Sequence, residues 1–420
     1  MKVFKFGGAS VNSVERIRNI PNILRRYPGE RILIVLSAMG KTTNALEKVA
    51  AAFFTENREE AIRLIVQIRE EHLTTARALL SAAYTSCAER LRDHFTEVEW
   101  LLYDRPVRES DYYYDQIVSI GELLSTTIVG AYLEENGWPV TWLDVRDIIR
   151  TDDNFRNARV DWEQTRKQTD QRVRSIFGKT PLVLTQGFIG ATDENESTTL
   201  GREGSDYSAA IFAHLLDAED LTIWKDVDAV MNADPKRFPD VVSIPALNYT
   251  EVIEMAYYGA QIIHPKTIKP LQNKRIPLYV KSFIDPAKPG TVIDNRPLPK
   301  LPPMIIVKED QVRLELRARD FSFIGEHHVG QLYTLLERLQ IRPNLTQNAA
   351  IDFLCVLDEW EEKIEKLALA ASQTLDVQVT RGLTLFTIRH YNQAITERLI
   401  GGREVLLRQQ TPDTIQVLVR

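Results

Sequence analysis

Short apolar runs set apart by helix-length stretches narrow the possible folds more than any other feature of the chain. Over residues 1–295 they are VFKF (3–6), RILIVLS (31–37), PVTWLD (139–144), PLVLTQG (181–187), LTIW (221–224) and IPLYVKS (276–282). Several are apolar throughout, a pattern that suits strands covered on both faces by helices. Helical patterns lie between the runs, so an α/β layer is expected. Residues 45–101 break the alternation with helical pattern and no strand, rich in Glu, Arg, Ala and Leu. They read as two or three helices inserted into the α/β layer, placed as a lid over a site.

The texture changes near 285–304, where DPAKPG and NRPLPKLPP concentrate proline. Proline at that density makes a stiff extended connector, and 296–304 is taken as the linker. Beyond it the expected elements are QVRLELRA, a helix near 329–339, IRPNLTQ, AIDFLCVLD, a helix near 361–371 and VQVTRGLTLFTI. That is the β-α-β-β-α-β order of a ferredoxin-like α+β unit. A partial second copy ends in EVLLRQQ and TIQVLVR. It is short of a last helix and strand, so it is expected to borrow elements or to pair with a neighbour.

At 420 residues, two or three domains are expected. The formal charge, 52 − 58 = −6, comes without a long basic run, which argues against a nucleic-acid surface. Cys87 and Cys355 are too few for a disulfide framework or a zinc knuckle and read as reduced cysteines of a cytoplasmic protein. The opening MKVFKFGG has no long apolar segment, and nowhere do 18 apolar residues run together. Neither secretion nor membrane spanning is expected.

Four stretches carry chemistry. In VFKFGGAS (3–10), glycines after a strand allow backbone N–H groups to approach an anion, and Lys5 adds a positive charge. A tight turn with Lys5 in solvent is the competing reading. GKTT (40–43) is not a P-loop, because Val35 stands where that motif needs a glycine, and no phosphate role is expected for that loop. In SIGELLST (119–126), Ile117, Ile120, Leu124, Ile128 and Ala131 form one stripe, with Glu122 opposite among Ser119, Ser125 and Thr126. Glu122 there lies either on a solvated face or in a polar pocket, where it would bind an ammonium group.

TTLGREGSDYSAA (198–210) is a loop running into a helix, with Ser205 as a cap candidate. The helix N-terminus favours an anion, Arg202 can grip a carboxylate, and Asp206 can hold magnesium or position lysines. A simple cap with solvated charges remains open. WKDVDAVMNADPKRFPD (224–240) gathers Asp226, Asp228 and Asp234 with Lys225, Lys236 and Arg237, either as plain turns or as a nucleotide seat. In NYTEVIEMAYYGAQIIHP (248–265), Asn248 reads as a helix cap, and His264 reads as structural.

With these stretches in hand, the chain resembles the aspartate kinases of the amino-acid kinase family. VFKFGGAS, LSAMGKTTNAL, SIGELLST, TQGFIG, TTLGREGSDYSAA, IWKDVDAVMNADPKR and YYGAQIIHPKTIKPL follow in the family's order over nearly all of 1–295. The resemblance implies a three-layer α/β/α amino-acid kinase domain and, over 305–420, a tandem ACT-like regulatory module with a truncated second unit. The implied reaction is phosphoryl transfer from ATP, with Mg²⁺, to the β-carboxylate of L-aspartate. It would open lysine, threonine and methionine biosynthesis. The resemblance assigns Lys5, Gly8 and Asp206 to catalysis, Lys5 lying between donor phosphate and attacking carboxylate. It assigns Ser37, Thr43, Glu122, Phe188, Arg202 and Ser205 to the substrate, Glu122 taking the ammonium and Arg202 the α-carboxylate. Lys5, Gly7, Gly8, Ser10, Lys225, Asp226, Met231, Asp234, Lys236 and Gln261 would meet the nucleotide. A homodimer and an amino-acid effector at the ACT module are further implications.

Three departures from the family pattern stand out. Glu203 replaces a usual glycine beside Arg202, where it would pair with that arginine or weaken its grip. Lys225 replaces a common threonine, and Gln261 replaces a nucleotide-facing lysine, so Lys225 would supply the charge instead. Asn344 stands where lysine-sensitive members have aspartate, which leaves threonine or no effector open. The competing functions are another carboxylate or carbamate kinase of the same fold, and an inactive paralogue that binds an effector.

Overall fold

The computed structural model describes residues 1–298, 300–320 and 323–420, without the side chain of residue 326. Residue 299 of the expected linker therefore lies outside the described residues. The chain forms two compact units, one of residues 1–230, 243–253 and 261–298, the other of 231–242, 254–260 and 299–420.

The first unit is built on an eight-stranded sheet and a small hairpin. Its strands are β1 (Lys2–Phe6), β2 (Ile32–Leu36), β3 (Val140–Leu143), β4 (Leu182–Gln186), the hairpin β5 (Ile189–Ala191) and β6 (Ser197–Thr199), β7 (Asp220–Lys225), β8 (Ala246–Asn248), β9 (Leu278–Ser282) and β10 (Thr291–Asp294). The sheet order is β3-β4-β2-β1-β7-β9-β10-β8, parallel except for the β9–β10 pair. All six apolar runs are strands. In β1 the alternation puts Phe4 and Phe6 on one face, against Trp224, with Phe6 stacked on its ring at 6.2 Å. Lys5 therefore projects from the opposite face.

Helices α1 (Val14–Leu24), α2 (Thr42–Phe54), α3 (Arg58–Leu79), α4 (Tyr84–Tyr103), α5 (Ser110–Val118) and α6 (Ile120–Glu135) come before β3. The 45–101 region is three helices, but the lid expectation fails. Phe53, Ile65, Leu73, Leu91 and Phe95 join one apolar core with Leu124 and Ile128 of α6. Their apolar faces are locked into that core, so they are a packed part of the unit rather than a separate flap, although Thr43 and Glu47 of α2 do reach the cavity described below. The solvated-face reading of α6 fails as well: every residue from Ile120 to Leu133 is buried. Its hydroxyls are satisfied internally, Ser125 donating to Ser37 O and Thr126 accepting from Gln186 Nε2.

After β3 come α7 (Trp162–Gln168), α8 (Arg174–Phe177), α9 (Gly204–Leu215), α10 (Tyr249–Tyr257) and α11 (Pro265–Lys274). Asn248 accepts from Glu251 N as the expected cap, and His264 caps α11 by accepting from Lys266 N. Ser205 is not a cap. Helix α9 starts one residue earlier, after Glu203, and no side chain caps it.

The second unit carries one six-stranded antiparallel sheet, formed by β11 (Met304–Ala318), β12 (Leu345–Asn348), β13 (Asp352–Asp358), β14 (Leu375–Arg389), β15 (Val405–Gln410) and β16 (Thr414–Val419). Helices α12 (Glu326–Arg338), α13 (Glu361–Ala371) and α14 (Gln393–Ile400) complete it. The order β12-β13-β11-β14-β16-β15 contains two ferredoxin-like halves. Leu314, Leu316, Phe353 and Cys355 pack the first half against Leu336 of α12 and Leu367 of α13.

The missing strand of the second half is borrowed within the chain. Residues 304–308 of β11 pair with 385–389 of β14, while 311–318 of the same strand serve the first half, across a register shift. The missing helix has a substitute too: Ala233, Phe238 and Val241 pack with Ile305, Phe386, Ile388 and Ile415. That packing explains why 231–242 joins this unit.

Candidate active site

The carboxyl ends of β1, β2 and β4 and the start of α9 enclose a cavity of about 520 Å³. Open α/β sheets bind ligands at this end of their strands. Lys5 lies on its floor, 8% exposed, its Nζ 2.6 Å from Asp206 Oδ1. Lys5 thus faces the cavity and not solvent. Burial pushes the Asp206 carboxyl up, but Lys5 and Lys225 outweigh it and hold the group below the usual carboxylate range. Gly8 is required by close packing, since a Cβ there would lie 2.7 Å from Ala38 O.

Glu122 forms a second wall. It is 2% exposed, and its Oε1 accepts from Ala38 N at 3.3 Å. Its Oε2 is buried without a partner. Burial pushes this carboxyl up to about 8, against the opposing pull of Ala38 N–H and Lys5. A buried acceptor without a partner is costly unless a ligand donor completes it. A cationic donor would do so and restore the carboxylate.

The structure brings together all nine residues assigned to substrate and catalysis: Lys5, Gly8, Ser37, Thr43, Glu122, Phe188, Arg202, Ser205 and Asp206 all line this cavity. Gly40 lines it too, so the loop set aside with the rejected P-loop does border the site. Of the nucleotide set, Lys5 and Gly8 line the cavity. Gly7 follows β1, and Ser10 donates to Trp224 O at 3.3 Å, tying the first loop to β7. Lys225 Nζ donates to Ile262 O at 2.6 Å, next to Gln261, and Asp226 is exposed. Met231, Asp234 and Lys236 belong to the second unit, where Lys236 N donates to Asp234 Oδ1.

Glu203 does what the sequence did not reveal. It sits in the left-handed region, at φ 54°, and its Oε2 accepts from His264 N at 2.9 Å. A further cluster was also missed. Tyr114 donates to Glu47 Oε1 at 2.6 Å, the Arg156 guanidinium lies 4.2 Å from the Tyr114 ring centre, and all three line the cavity. Behind them, buried Asp115 accepts from Arg156 N, Thr199 N and Thr199 Oγ1. Burial still pushes its carboxyl up to about 6. The available signal was three tyrosines and an aspartate just before SIGELLST.

Residues 1–282 match the model of the amino acid kinase family. The chain belongs to that family. Among relatives, it is 33% identical to Aspartokinase 2, chloroplastic, of Arabidopsis thaliana, over 85% of this chain and 66% of that one. It is also 33% identical to a bifunctional aspartokinase/homoserine dehydrogenase of Zea mays, over 70% of this chain but 32% of that protein. The chain thus spans less than two thirds of these relatives' lengths. E. coli aspartokinase III in complex with aspartate and ADP superposes with a TM-score of 0.83 at 25% identity, covering all of this chain and 96% of that one. Its complex with lysine and aspartate gives 0.82 at 26% identity, with the same coverage. The three-layer kinase fold with a C-terminal antiparallel module is therefore the one the sequence led us to expect.

Proposed function

We propose that the protein transfers the γ-phosphoryl group of ATP to the β-carboxylate of L-aspartate, giving 4-phospho-L-aspartate and ADP. The observation that carries this reading is the orphaned, buried Oε2 of Glu122, a residue that lines the same cavity as Lys5 and Arg202. An α-amino acid fits: its ammonium completes Glu122, and its α-carboxylate meets the exposed Arg202 guanidinium. The β-carboxylate is then directed toward Lys5, with Ser37 and Thr43 offering hydroxyls and Phe188 closing one side.

Phosphoryl transfer here needs no general base, because the attacking carboxylate is ionised at neutral pH. The obstacle is repulsion between two anions. Lys5 offsets it, with its ammonium held in place by Asp206 in a mostly buried site where a charge acts strongly. Mg²⁺ would arrive with the nucleotide, coordinated mainly by phosphate oxygens and water. No group of three or more carboxylate, imidazole or thiol side chains gathers for it among the described residues.

The reading places the enzyme in the cytoplasm, as a homodimer, at the head of lysine, threonine and methionine synthesis. It includes an amino-acid effector at the ferredoxin-like unit. Asn344 there is already engaged, accepting from Lys308 Nζ and donating to Gln311 Oε1 and Asp358 Oδ1. The deciding experiment is hydroxamate formation from aspartate, ATP and hydroxylamine, with glutamate as control and with lysine, threonine and methionine as effectors. Turnover of glutamate without aspartate would favour a different carboxylate kinase, and no turnover would favour an inactive paralogue.

A further inference from the structure

We infer that Glu203 is a positioning residue that braces the amino-acid side of the site against segment 261–266, so that nucleotide and aspartate binding are coupled through it. The inference rests on the aspartate kinase reading above. Glu203 adopts φ 54° and ψ 29°, a conformation that disfavours any residue with a Cβ. It stands between Arg202 and the first turn of α9, which carries Ser205 and Asp206.

Its carboxylate accepts from His264 N at 2.9 Å. Two residues earlier, Ile262 O accepts from Lys225 Nζ at 2.6 Å. The charge of Lys225 in turn acts on Asp206, which holds Lys5. Residues 262–264 are thus held at one end by Glu203 and at the other by Lys225, and α9 runs on from Glu203 to Asp206 and its ion pair with Lys5; the circuit is closed by charge attraction between Lys225 and Asp206 and not by a contact. A second strut joins the same segment to the cavity wall, since Lys266 Nζ donates to Asn157 Oδ1, beside Arg156.

Such a circuit ties two binding surfaces together. Nucleotide beside Lys225 and Gln261 presses on segment 261–264, and Glu203 passes any shift to Arg202 and Ser205. Aspartate gripped by Arg202 acts in the reverse direction. Linkage requires the two effects to be equal in free energy.

The test is calorimetric titration of the full-length protein with Mg·ADP, with and without saturating aspartate, on the wild type, Glu203→Gly and Glu203→Gln. Aspartate should change wild-type ADP affinity by about fivefold or more, and ADP should change aspartate affinity by the same factor. Glycine accepts the left-handed backbone without penalty, so Glu203→Gly should fold. Its two ligands should bind independently, and its KM for aspartate should cease to depend on ATP concentration. Glutamine keeps an acceptor oxygen and should keep the coupling. A purely structural role would weaken both ligands without altering their ratio. An uncoupled wild type, a coupled Glu203→Gly, or a Glu203→Gln that behaves like glycine would each overturn the brace. Hydroxamate formation by the wild type is read separately: its absence would overturn the kinase reading, whereas its presence without coupling would overturn the brace alone.

Discussion

Replacing Lys5 by methionine should damage the protein in two separable ways. The Lys5–Asp206 pair is 2.6 Å long, and its side chains are 10% and 5% exposed. Removing the cation strands a carboxylate in the interior, which for a buried pair costs about 3–5 kcal/mol. Asp206 can lessen this by taking up a proton, because Lys5 is the main force opposing burial at that group. The sign follows from the lowered carboxyl: its stabilisation is present above the unfolded carboxylate range and is lost as pH falls through the folded value. The gap between wild type and Lys5→Met in urea denaturation should therefore be full near neutral pH and should narrow in acid.

Catalysis should respond differently. Loss of a charge aimed at the transferred phosphoryl group lowers the rate by about 10²-fold or more. The double variant Lys5→Met/Asp206→Asn removes the stranded charge, so it should regain most of the stability and none of the hydroxamate activity. If the double variant were no more stable than Lys5→Met, the stranded carboxylate would not be the source of the loss. If Lys5→Met turned over aspartate at close to the wild-type rate, the role given to this ammonium would be wrong.

Other outcomes follow from the same geometry. Glu122, raised to about 8 by burial, must be ionised to hold an ammonium group; kcat/KM for aspartate should rise with pH up to about 8, and Glu122→Gln should flatten that step. Gly8→Ala would push a Cβ to 2.7 Å from Ala38 O, so the two loops must part; a displacement near 1 Å lowers the rate by about 10²-fold, read as kcat in folded material. Lys225→Thr removes the donor to Ile262 O; KM for ATP should rise, and an unchanged KM would take Lys225 off the nucleotide edge.

Much of the fold was legible because burial writes itself into strands: six mostly apolar runs became six strands of the first sheet. The three-residue strands β5, β6 and β8 were not, since segments so short show no period. Nor was the burial of α6 on every side, because its Ser and Thr hydroxyls are satisfied by distant partners such as Ser37 O and Gln186. Nine of the residues lining the cavity came from the motifs and the resemblance they carry. Glu47, Tyr114 and Arg156 were missed because their meeting depends on α2, α5 and a loop far apart in sequence. The direction taken by Glu203 was equally hidden, as its partner is a backbone N–H 61 residues away.

One continuous strand, β11, belongs to both halves of the second sheet, its opening residues to one and its closing residues to the other. Neither half can be cut out, transplanted or melted by itself, because any break in that ribbon removes an inner strand from one and the closing strand from its neighbour. What looks on paper like two modules, one of them incomplete, is a single cooperative object, and an insertion near residue 310 should be felt throughout it.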